Sequence, residues 1–484
     1  MTIQDIAESL PQSTIKQYGL LTHEDRCTYV LNNISTYKAS TAIVDIDFIQ
    51  SIKTKRFLYD ILKTNVIKQS GCFGVMGSRH VGKTILLQQL FCNNVETAIY
   101  LDCSFLKNNT KFNFGHFYST AYQDGKHIIL LDEVCKINSD TYLEFISSTK
   151  LYSAKLCIII TGSVQLLVDN ICNEICRGQT FTLPPFFYVE KLCWLHEINS
   201  VQLQAIKQYI NKETFFEYLK NQFMSNTQLL AYTKGVVQDT IESYRNNTVL
   251  EGDISVDDKT LNNALKYISL CQVVYRRSSG NNFNAIPNIE PELRELIFNG
   301  EYEAARNKWH LKKHDIEKVI SLLACSNLMH RFSNMMAFNN MEDAYVFEYP
   351  WYASYCLSPS IQSSKILLDM WVEYSILLRV SYVYSDVAKY RDISGNEIDI
   401  VYKINNWYGL EIKNRPKSNI SDSYNKKLSK LSQDLSLSEL LISDEDLNPI
   451  LVAMLEFEYV QIVSKGDYET NKSIQTLLRE FKYL

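Results

Sequence analysis

Zinc-type cysteine spacing is absent from the sequence. None of the 12 cysteines forms a C-x-x-C pair. Cys172 and Cys176 could share a helix face, but no second Cys or His pair at zinc-ligand spacing follows them. Scattered thiols, several of them inside predicted strands, are typical of buried free cysteines in a reducing compartment. The spacing therefore argues against a structural zinc site.

A signal peptide, a long apolar run and a strong charge excess are also missing. Asp5 and Glu8 stand where a signal peptide needs basic residues followed by an apolar segment. No stretch approaches the roughly 18 to 20 apolar residues that span a bilayer. We therefore expect a soluble, cytoplasmic protein with no membrane partner. The formal net charge of −5 excludes a uniformly basic coat, so contact with nucleic acid would rest on local patches.

The strongest motif present is G-x-x-x-x-G-K-T at residues 77–84, which we call the P-loop. It follows the apolar run 73–76 and precedes 85–91, which predict a strand and a helix. A chance turn between strand and helix is the alternative, but this context is the one that phosphate binding requires. Backbone N–H groups would surround the β-phosphate, Lys83 would bridge the β- and γ-phosphates, and Thr84 would ligate Mg²⁺. The motif predicts binding of ATP and Mg²⁺ by Gly77, Ser78, Arg79, His80, Val81, Gly82, Lys83 and Thr84.

Polar residues end two of the apolar runs that follow the P-loop. The runs at 97–102, 127–133 and 156–163 alternate with helical segments, which predicts a parallel sheet with ligands at its carboxyl edge. Asp132 is placed to hold Mg²⁺, and Glu133 to polarise the attacking water. Thr161 and Ser163 lie where a hydroxyl would reach the γ-phosphate or the water. The alternatives are a solvated strand end for the acidic pair and a plain turn for Thr-Gly-Ser.

A second set of charged residues lies near the C-terminus. The helical segment 367–380 carries Glu373 among apolar residues, and two predicted strands then carry Asp399, Glu411 and Lys413 as D-x(11)-E-x-K. Asp399 and Glu411 could hold Mg²⁺, and the lysine could orient or deprotonate water beside a phosphate. The alternative is a surface ion pair. A run of basic residues follows, namely Lys413, Arg415, Lys417, Lys426, Lys427 and Lys430. This run either contacts a phosphate backbone or is the solvated face of a helix.

These motifs together resemble a known protein family. Residues 77–84, 131–134, 161–163 and 177–186 with Glu190 look like a prokaryotic AAA-type P-loop ATPase family. Its members carry a C-terminal domain of unknown function related to the PD-(D/E)XK nucleases. The resemblance implies that Arg177 contacts the γ-phosphate as a finger or sensor, with a salt-bridged surface arginine as the alternative. It also implies that Glu373, Asp399, Glu411 and Lys413 form a nuclease-like core, with or without cleavage. In that core Glu373 would join Asp399 and Glu411 as a metal ligand.

The predicted fold is therefore α/β, with a P-loop parallel sheet of AAA type, a helical lid, a winged-helix-like middle region and a PD-(D/E)XK nuclease-like domain. The winged-helix-like region would bind DNA or only join domains. The length of 484 residues accommodates roughly two to four domains. The predicted segments are an N-terminal extension at 1–54, the ATPase core at 55–190, the lid at 191–255, the linker domain at 256–360 and the nuclease-like domain at 361–484.

Three functions are compatible with the motifs. The first is an ATP-dependent enzyme that cuts DNA through Asp399, Glu411 and Lys413. The second is an ATP-driven switch whose C-terminal domain binds nucleic acid or protein without cleaving. The third, a small-molecule kinase, has no acceptor-binding motif beside the P-loop, and Glu133 favours hydrolysis over transfer. AAA-type cores often complete their sites in trans, so a homo-oligomer is a candidate assembly.

Overall fold

Two β-sheets organise the chain, one in each of two compact units. The computed structural model describes residues 44–53, 55–108, 112–137, 139–175, 179–198, 203–221, 226–246, 256–275, 296, 301–326, 328–334, 344–347, 365–391 and 396–483. The first unit contains the described residues of Met1–Phe186, Val236–Ile254 and Cys325–Asn327, and the second contains those of the remaining segments. The predicted N-terminal extension lies almost wholly outside the described residues.

The elements of the first unit alternate between strand and helix. The strands are β1 (Gly71–Met76), β2 (Ala98–Asp102), β3 (Ile128–Asp132), β4 (Cys157–Gly162) and β5 (Gln179–Thr182). The helices are α1 (Ile46–Ser51), α2 (Phe57–Ile61), α3 (Lys83–Cys92), α4 (Phe114–Gln123), α5 (Ser139–Tyr152) and α6 (Gln165–Glu174).

The five strands of this sheet pair in parallel in the order β2-β3-β4-β1-β5. Strands β1, β3 and β4 are buried along their whole length, as their continuous apolar runs predict. Because β4 lies between β1 and β3, the loop after β1 and the ends of β3 and β4 meet at one edge. This order brings the P-loop, Asp132 and Ser163 together.

Aromatic side chains from the helices fill one part of this core. Phe114, Phe117 and Tyr118 of α4 and Phe145 of α5 are all buried, and they pack in one hydrophobic cluster with β2, β3 and β4. The rings of Phe114 and Phe145 lie 4.9 Å apart between centroids. Aromatic burial of this kind stabilises the sheet from which the site residues project.

The chain beyond β5 is mostly helical before it reaches the second sheet. Its helices are α7 (Tyr188–Leu195), α8 (Leu203–Ile206), α9 (Lys212–Asn221), α10 (Asn226–Asn246), α11 (Asp258–Tyr275), α12 (Tyr302–Lys308) and α13 (Lys313–Cys325). The remaining elements are β6 (Met329–Asn334), β7 (Ala344–Phe347), α14 (Lys365–Val383), β8 (Asp386–Arg391), β9 (Glu397–Lys403), β10 (Trp407–Ile412), α15 (Asp422–Asp434), β11 (Leu440–Ser443), α16 (Leu447–Lys465) and α17 (Ile474–Tyr483).

The second sheet is mixed, with the order β11-β10-β9-β8-β6-β7. Strands β8, β9 and β10 are antiparallel, β11 joins β10 in parallel, and β6 joins β8 in parallel. The hairpin of β6 and β7, which lies in the predicted linker domain at 256–360, thus belongs to the same sheet as the C-terminal strands. The winged-helix-like region and the PD-(D/E)XK relationship stay predictions.

A buried ion pair links four helices of the second unit, α7, α9, α14 and α16. Glu456 of α16 accepts hydrogen bonds from the backbone N–H groups of Tyr188 (3.0 Å) and Val189 (2.9 Å), at the start of α7. Arg379 of α14 donates to the same carboxylate over 3.1 Å and to the Tyr218 hydroxyl over 2.8 Å. Burial raises the pKa of Glu456 to about 7, although Arg379 and the two N–H groups oppose the rise. The carboxylate therefore caps one helix and pairs with another.

Helix α16 is also long and apolar enough, by length and composition, to cross a membrane. It is the one such helix in the described part of the chain, and 56% of its most apolar window is buried inside the protein. A buried core helix passes the same test. The expectation that no segment approaches this length overlooked α16, because Glu456 and Glu458 interrupt its apolar run.

Candidate functional site

The P-loop connects β1 to α3 through two glycines that the backbone requires. Gly82 adopts the left-handed conformation, with φ 95° and ψ 20°, directly before α3. A Cβ atom on Gly77 would lie 2.3 Å from the backbone oxygen of Leu183. Any other residue at position 77 would push the loop away from the segment that follows β5. The glycines at 77 and 82 therefore fix the path of the loop.

The ammonium group of Lys83 is buried within the loop that precedes it. Its Nζ donates to the carbonyl oxygens of Gly77 and Ser78, each over 2.9 Å, and to Ser163 Oγ over 3.4 Å. Burial lowers the pKa of Lys83, against the pull of the Glu133 and Asp132 carboxylates. A cation held in this way is positioned to meet phosphate oxygens at the start of α3.

Strand β3 ends in a carboxylate whose two oxygens are both held. Thr161 donates its hydroxyl to Asp132 Oδ1, the Glu133 N–H donates to the same atom over 3.1 Å, and the Tyr100 hydroxyl donates to Oδ2 over 2.9 Å. Asp132 is 1% exposed. Together with Thr84 it offers the hard oxygen ligands that Mg²⁺ prefers, so the residues present fit that ion.

Glu133 adopts a backbone conformation that few glutamates adopt. Its φ of 52° and ψ of 45° lie in the left-handed region. Its N–H also lies 3.2 Å from Thr161 Oγ1, and Ser163 donates to its Oε1 over 3.3 Å. Backbone strain of this kind costs about 1 kcal/mol or more and is found most often at functional sites. Ser163 thus touches both Glu133 and Lys83.

Tyr100 and Asp102 on β2 belong to this site, although we did not predict them from the sequence. Asp102 stands opposite Asp132 in the parallel register, and it accepts a hydrogen bond from the Ser104 N–H over 2.9 Å. Burial raises the pKa of Asp102 to about 7, the Asp132 carboxylate adds to the rise, and the Ser104 bonds oppose it. The run at 97–102 ends in Asp as the next strand does, which was the signal available for Asp102.

The remaining ATPase candidate, Arg177, lies outside the described residues. Its predicted contact with the γ-phosphate therefore stays a prediction. Glu190, which contributed to the family resemblance, is on α7, where it accepts from the Phe187 N–H over 3.0 Å. The structure thus gives Glu190 the role of a helix cap.

The C-terminal candidates lie on adjacent antiparallel strands, β9 and β10. Asp399 Oδ2 accepts from the Ile412 N–H over 2.7 Å, and Glu411 Oε2 accepts from the Asp399 N–H over 3.3 Å. Both carboxylates are buried, Glu411 completely. The antiparallel pairing of β9 and β10 therefore brings Asp399 and Glu411 together.

Lysines neutralise the carboxylates of this cluster. Lys413 forms an ion pair with Glu411, whose Oε1 also accepts from the Tyr424 hydroxyl over 2.5 Å. Burial lowers the pKa of Lys413, but Asp399 and Glu411 outweigh it and hold the pKa above its ordinary value. On β8, Lys389 pairs with Glu373 over 2.6 Å. Tyr424 and Lys389 were not predicted from the sequence.

Within the described ranges, no group of three or more His, Cys, Asp or Glu side chains is arranged to hold a metal ion. At the C-terminal cluster, Glu411 and Glu373 are instead engaged by lysines. A metal there would have to compete with these ammonium groups. The predicted metal ligands Glu373, Asp399 and Glu411 therefore stay predictions.

Comparison with known families gives a match to the segment that carries the first of these two sites. Residues 69–192 match the model of a family described as the AAA domain. This segment is an AAA domain. The match contains the P-loop, Asp132, Glu133 and Ser163, and the five-stranded parallel sheet is the fold of a P-loop AAA ATPase. The predicted AAA-type sheet is thus confirmed.

Solved structures resemble the chain more distantly. The replication initiator DnaA bound to AMPPCP and single-stranded DNA shares 17% identity, with 56% of this chain and 97% of that chain covered and a TM-score of 0.26. Katanin shares 12%, with 62% and 95% covered and a TM-score of 0.23. PCH-2 of C. elegans shares 10%, with 59% and 70% covered and a TM-score of 0.22. Comparison with curated proteins gave no match.

Proposed function

We propose that the AAA domain of this chain binds ATP with Mg²⁺ and hydrolyses it. The observation that carries the proposal is the convergence, at one sheet edge, of Lys83, Asp132 and Glu133, with Ser163 bonded to both Lys83 and Glu133. P-loop N–H groups and the Lys83 ammonium bind the phosphates. Thr84 and Asp132 would hold Mg²⁺, which supplies charge neutralisation at the phosphates.

Hydrolysis also needs a water molecule aligned with the γ-phosphate. Glu133 follows the metal-binding Asp132 directly, and Ser163 and Thr161 hold its carboxylate and its backbone N–H. In the proposed step Glu133 orients the water and accepts its proton as the oxygen–phosphorus bond forms and ADP leaves.

ATP binding and turnover by the wild-type chain, Lys83→Ala and Glu133→Gln test this proposal. Lys83→Ala should weaken ATP binding by about 100-fold or more, because a charge-assisted contact is lost in a buried site. Glu133→Gln should still bind ATP but hydrolyse it about 100-fold more slowly, because the amide accepts no proton. The exposed lysine variant Lys68→Ala is the matched control. Tight ATP binding by Lys83→Ala would contradict the P-loop assignment.

We further propose that nucleotide state controls a nuclease-like C-terminal domain that acts on DNA. The proximity of Asp399, Glu411 and Lys413 on two buried strands supports it. The alternative is a switch that binds nucleic acid or protein without cutting, and the lysine-paired state of Glu411 and Glu373 favours this alternative. Cleavage of plasmid and branched DNA with Mg²⁺ or Mn²⁺ separates the two. Activity lost in Glu411→Ala but kept in the exposed variant Asp434→Asn establishes cleavage, whereas an inactive wild type, with or without ATP, favours the switch.

A cytoplasmic location, the absence of a membrane partner and a homo-oligomeric assembly are also proposals. The absence of a membrane partner is supported by helix α16, which buries Glu456 against Arg379 instead of presenting an apolar surface on all sides. An oligomer would let Arg177 of one copy complete the site of another. The mass in solution of the Glu133→Gln variant, measured in the presence of ATP, tests whether the chain forms this homo-oligomer.

A further inference from the structure

Arg56 joins the P-loop to the segment that follows β5. It stands directly before α2 and is 8% exposed. Its Nη1 donates to the Val81 carbonyl over 2.5 Å, and its Nη2 donates to the carbonyls of Pro184 (2.7 Å) and Pro185 (3.3 Å). The planar guanidinium has a fork of donors that can reach carbonyls on two separate segments at once.

The other end of the P-loop rests on the same segment, residues 183–186, which we call the proline segment. The Leu183 N–H donates to the Met76 carbonyl over 2.7 Å, at the end of β1. The Leu183 oxygen occupies the space that a Cβ on Gly77 would need. The aromatic ring of Phe186 lies with its centroid 5.3 Å from the Arg56 guanidinium carbon. Both ends of the P-loop are therefore fixed to one short stretch of chain.

The hydrogen bond from Arg56 to the Val81 carbonyl also fixes the direction of the next backbone N–H group, that of Gly82. The Val81 carbonyl and the Gly82 N–H belong to one planar peptide unit, in which the two groups point in opposite directions. Gly82 has φ 95° and no side chain, so by itself it would let this peptide rotate. Arg56 holds the carbonyl on its own side, which turns the Gly82 N–H away from Arg56. A P-loop binds phosphate through backbone N–H groups that point into the loop.

We propose that Arg56 is a positioning residue for nucleotide binding, which holds the Val81–Gly82 peptide so that the Gly82 N–H faces the bound phosphates. This inference rests on the proposed ATP binding. Lysine at this position carries the same charge, but its single ammonium cannot bond to Val81 and to the proline segment with the same fork geometry. Shape as well as charge is therefore required at residue 56.

The test compares the full chain with Arg56→Lys, Arg56→Ala and the control Lys55→Ala, in which the neighbouring exposed cation is removed. Binding of a fluorescent, non-hydrolysable ATP analogue gives Kd, and single-turnover hydrolysis at saturating ATP gives the rate of the chemical step. Kd should rise about tenfold or more in both Arg56 variants, as expected for one misdirected phosphate contact. The saturated single-turnover rate should change by less than about threefold.

A chemical rescue distinguishes positioning from a general structural role. Ethylguanidinium added to Arg56→Ala should restore part of the affinity, whereas ethylammonium at the same concentration should not. Unchanged Kd in both Arg56 variants, an equal loss of affinity and single-turnover rate, or failure of both variants to fold would overturn the inference. Failure of the wild type to bind the analogue would instead overturn the proposed ATP binding.

Discussion

Asp102 and Asp132 end neighbouring strands in the same register, and this placement makes one of them sensitive to pH. Burial raises the pKa of Asp102 from 3.8 to about 7. Between pH 3.8 and about 7, the Asp102 carboxyl is therefore protonated in the native state but ionised in the unfolded chain. The free energy of unfolding therefore falls as pH rises through this window.

Asp102→Asn should consequently raise the melting temperature at pH 8 and have a smaller effect at pH 4, where aspartate is protonated in the native state. Asn keeps an oxygen that can accept from the Ser104 N–H but has no charge to desolvate. Thermal melts at the two pH values measure the difference, with the exposed variant Asp124→Asn as control. The same melting shift at both pH values would show that the Asp102 charge does not destabilise the fold.

Single residues were predictable from the sequence where a motif fixes their spacing. The P-loop and the Asp132–Glu133 pair lie in continuous motifs, so their residues could be named without coordinates. Arg56 and Tyr100 could not, because Arg56 bonds to Pro184 across 128 positions and Tyr100 to Asp132 across 32. Contacts between residues so far apart in the sequence depend on the order of the strands in the sheet. The local sequence pattern does not reveal that order.

At the scale of elements, the start of α7 depends on a side chain far along the chain. Glu456 of α16 supplies both oxygens to the first N–H groups of α7 and also pairs with Arg379. Removal of this carboxylate leaves a buried guanidinium with one fewer anionic partner and two N–H groups without their acceptor.

Glu456→Ala should lower the free energy of unfolding by about 3 to 5 kcal/mol, the range observed when one partner of a buried ion pair is removed. Glu458→Ala, on the same helix and partly exposed, should change it far less. Urea denaturation of both variants measures the two effects. Equal destabilisation would assign the loss to helix α16 itself, since both changes remove a glutamate from it.

Four of the five strands of the AAA domain were predictable because each contains a continuous apolar run. The fifth, β5, was not predicted, since its sequence Gln-Thr-Phe-Thr is mostly polar. The pairing of β6 and β7, which lie in the predicted linker domain, did not follow from the sequence. Strand β6 pairs with β8 across a gap of more than 50 residues, so the hairpin enters a six-stranded sheet. A local pattern identifies a strand but not its neighbour.

At the scale of the whole molecule, the proposed function predicts that nucleotide state changes the affinity of the chain for DNA. The full-length Glu133→Gln chain with ATP and the wild type with ADP should differ in DNA affinity by about fivefold or more, the usual size of such a coupling. Fluorescence anisotropy at one fixed salt concentration measures this difference. Lys83→Ala should give the same affinity with either nucleotide. Equal affinities in all cases would mean that the ATPase acts on something other than DNA binding.

The conformation of Glu133 has an evolutionary consequence. A glutamate with φ 52° occupies a position where glycine or asparagine would be more stable. When selection for hydrolysis is relaxed, substitutions that replace Glu133 therefore stabilise the fold and are retained. Descendants of such a chain would lose ATP hydrolysis first and would keep the P-loop with bound ATP. They would then act as structural proteins held in the ATP-bound state.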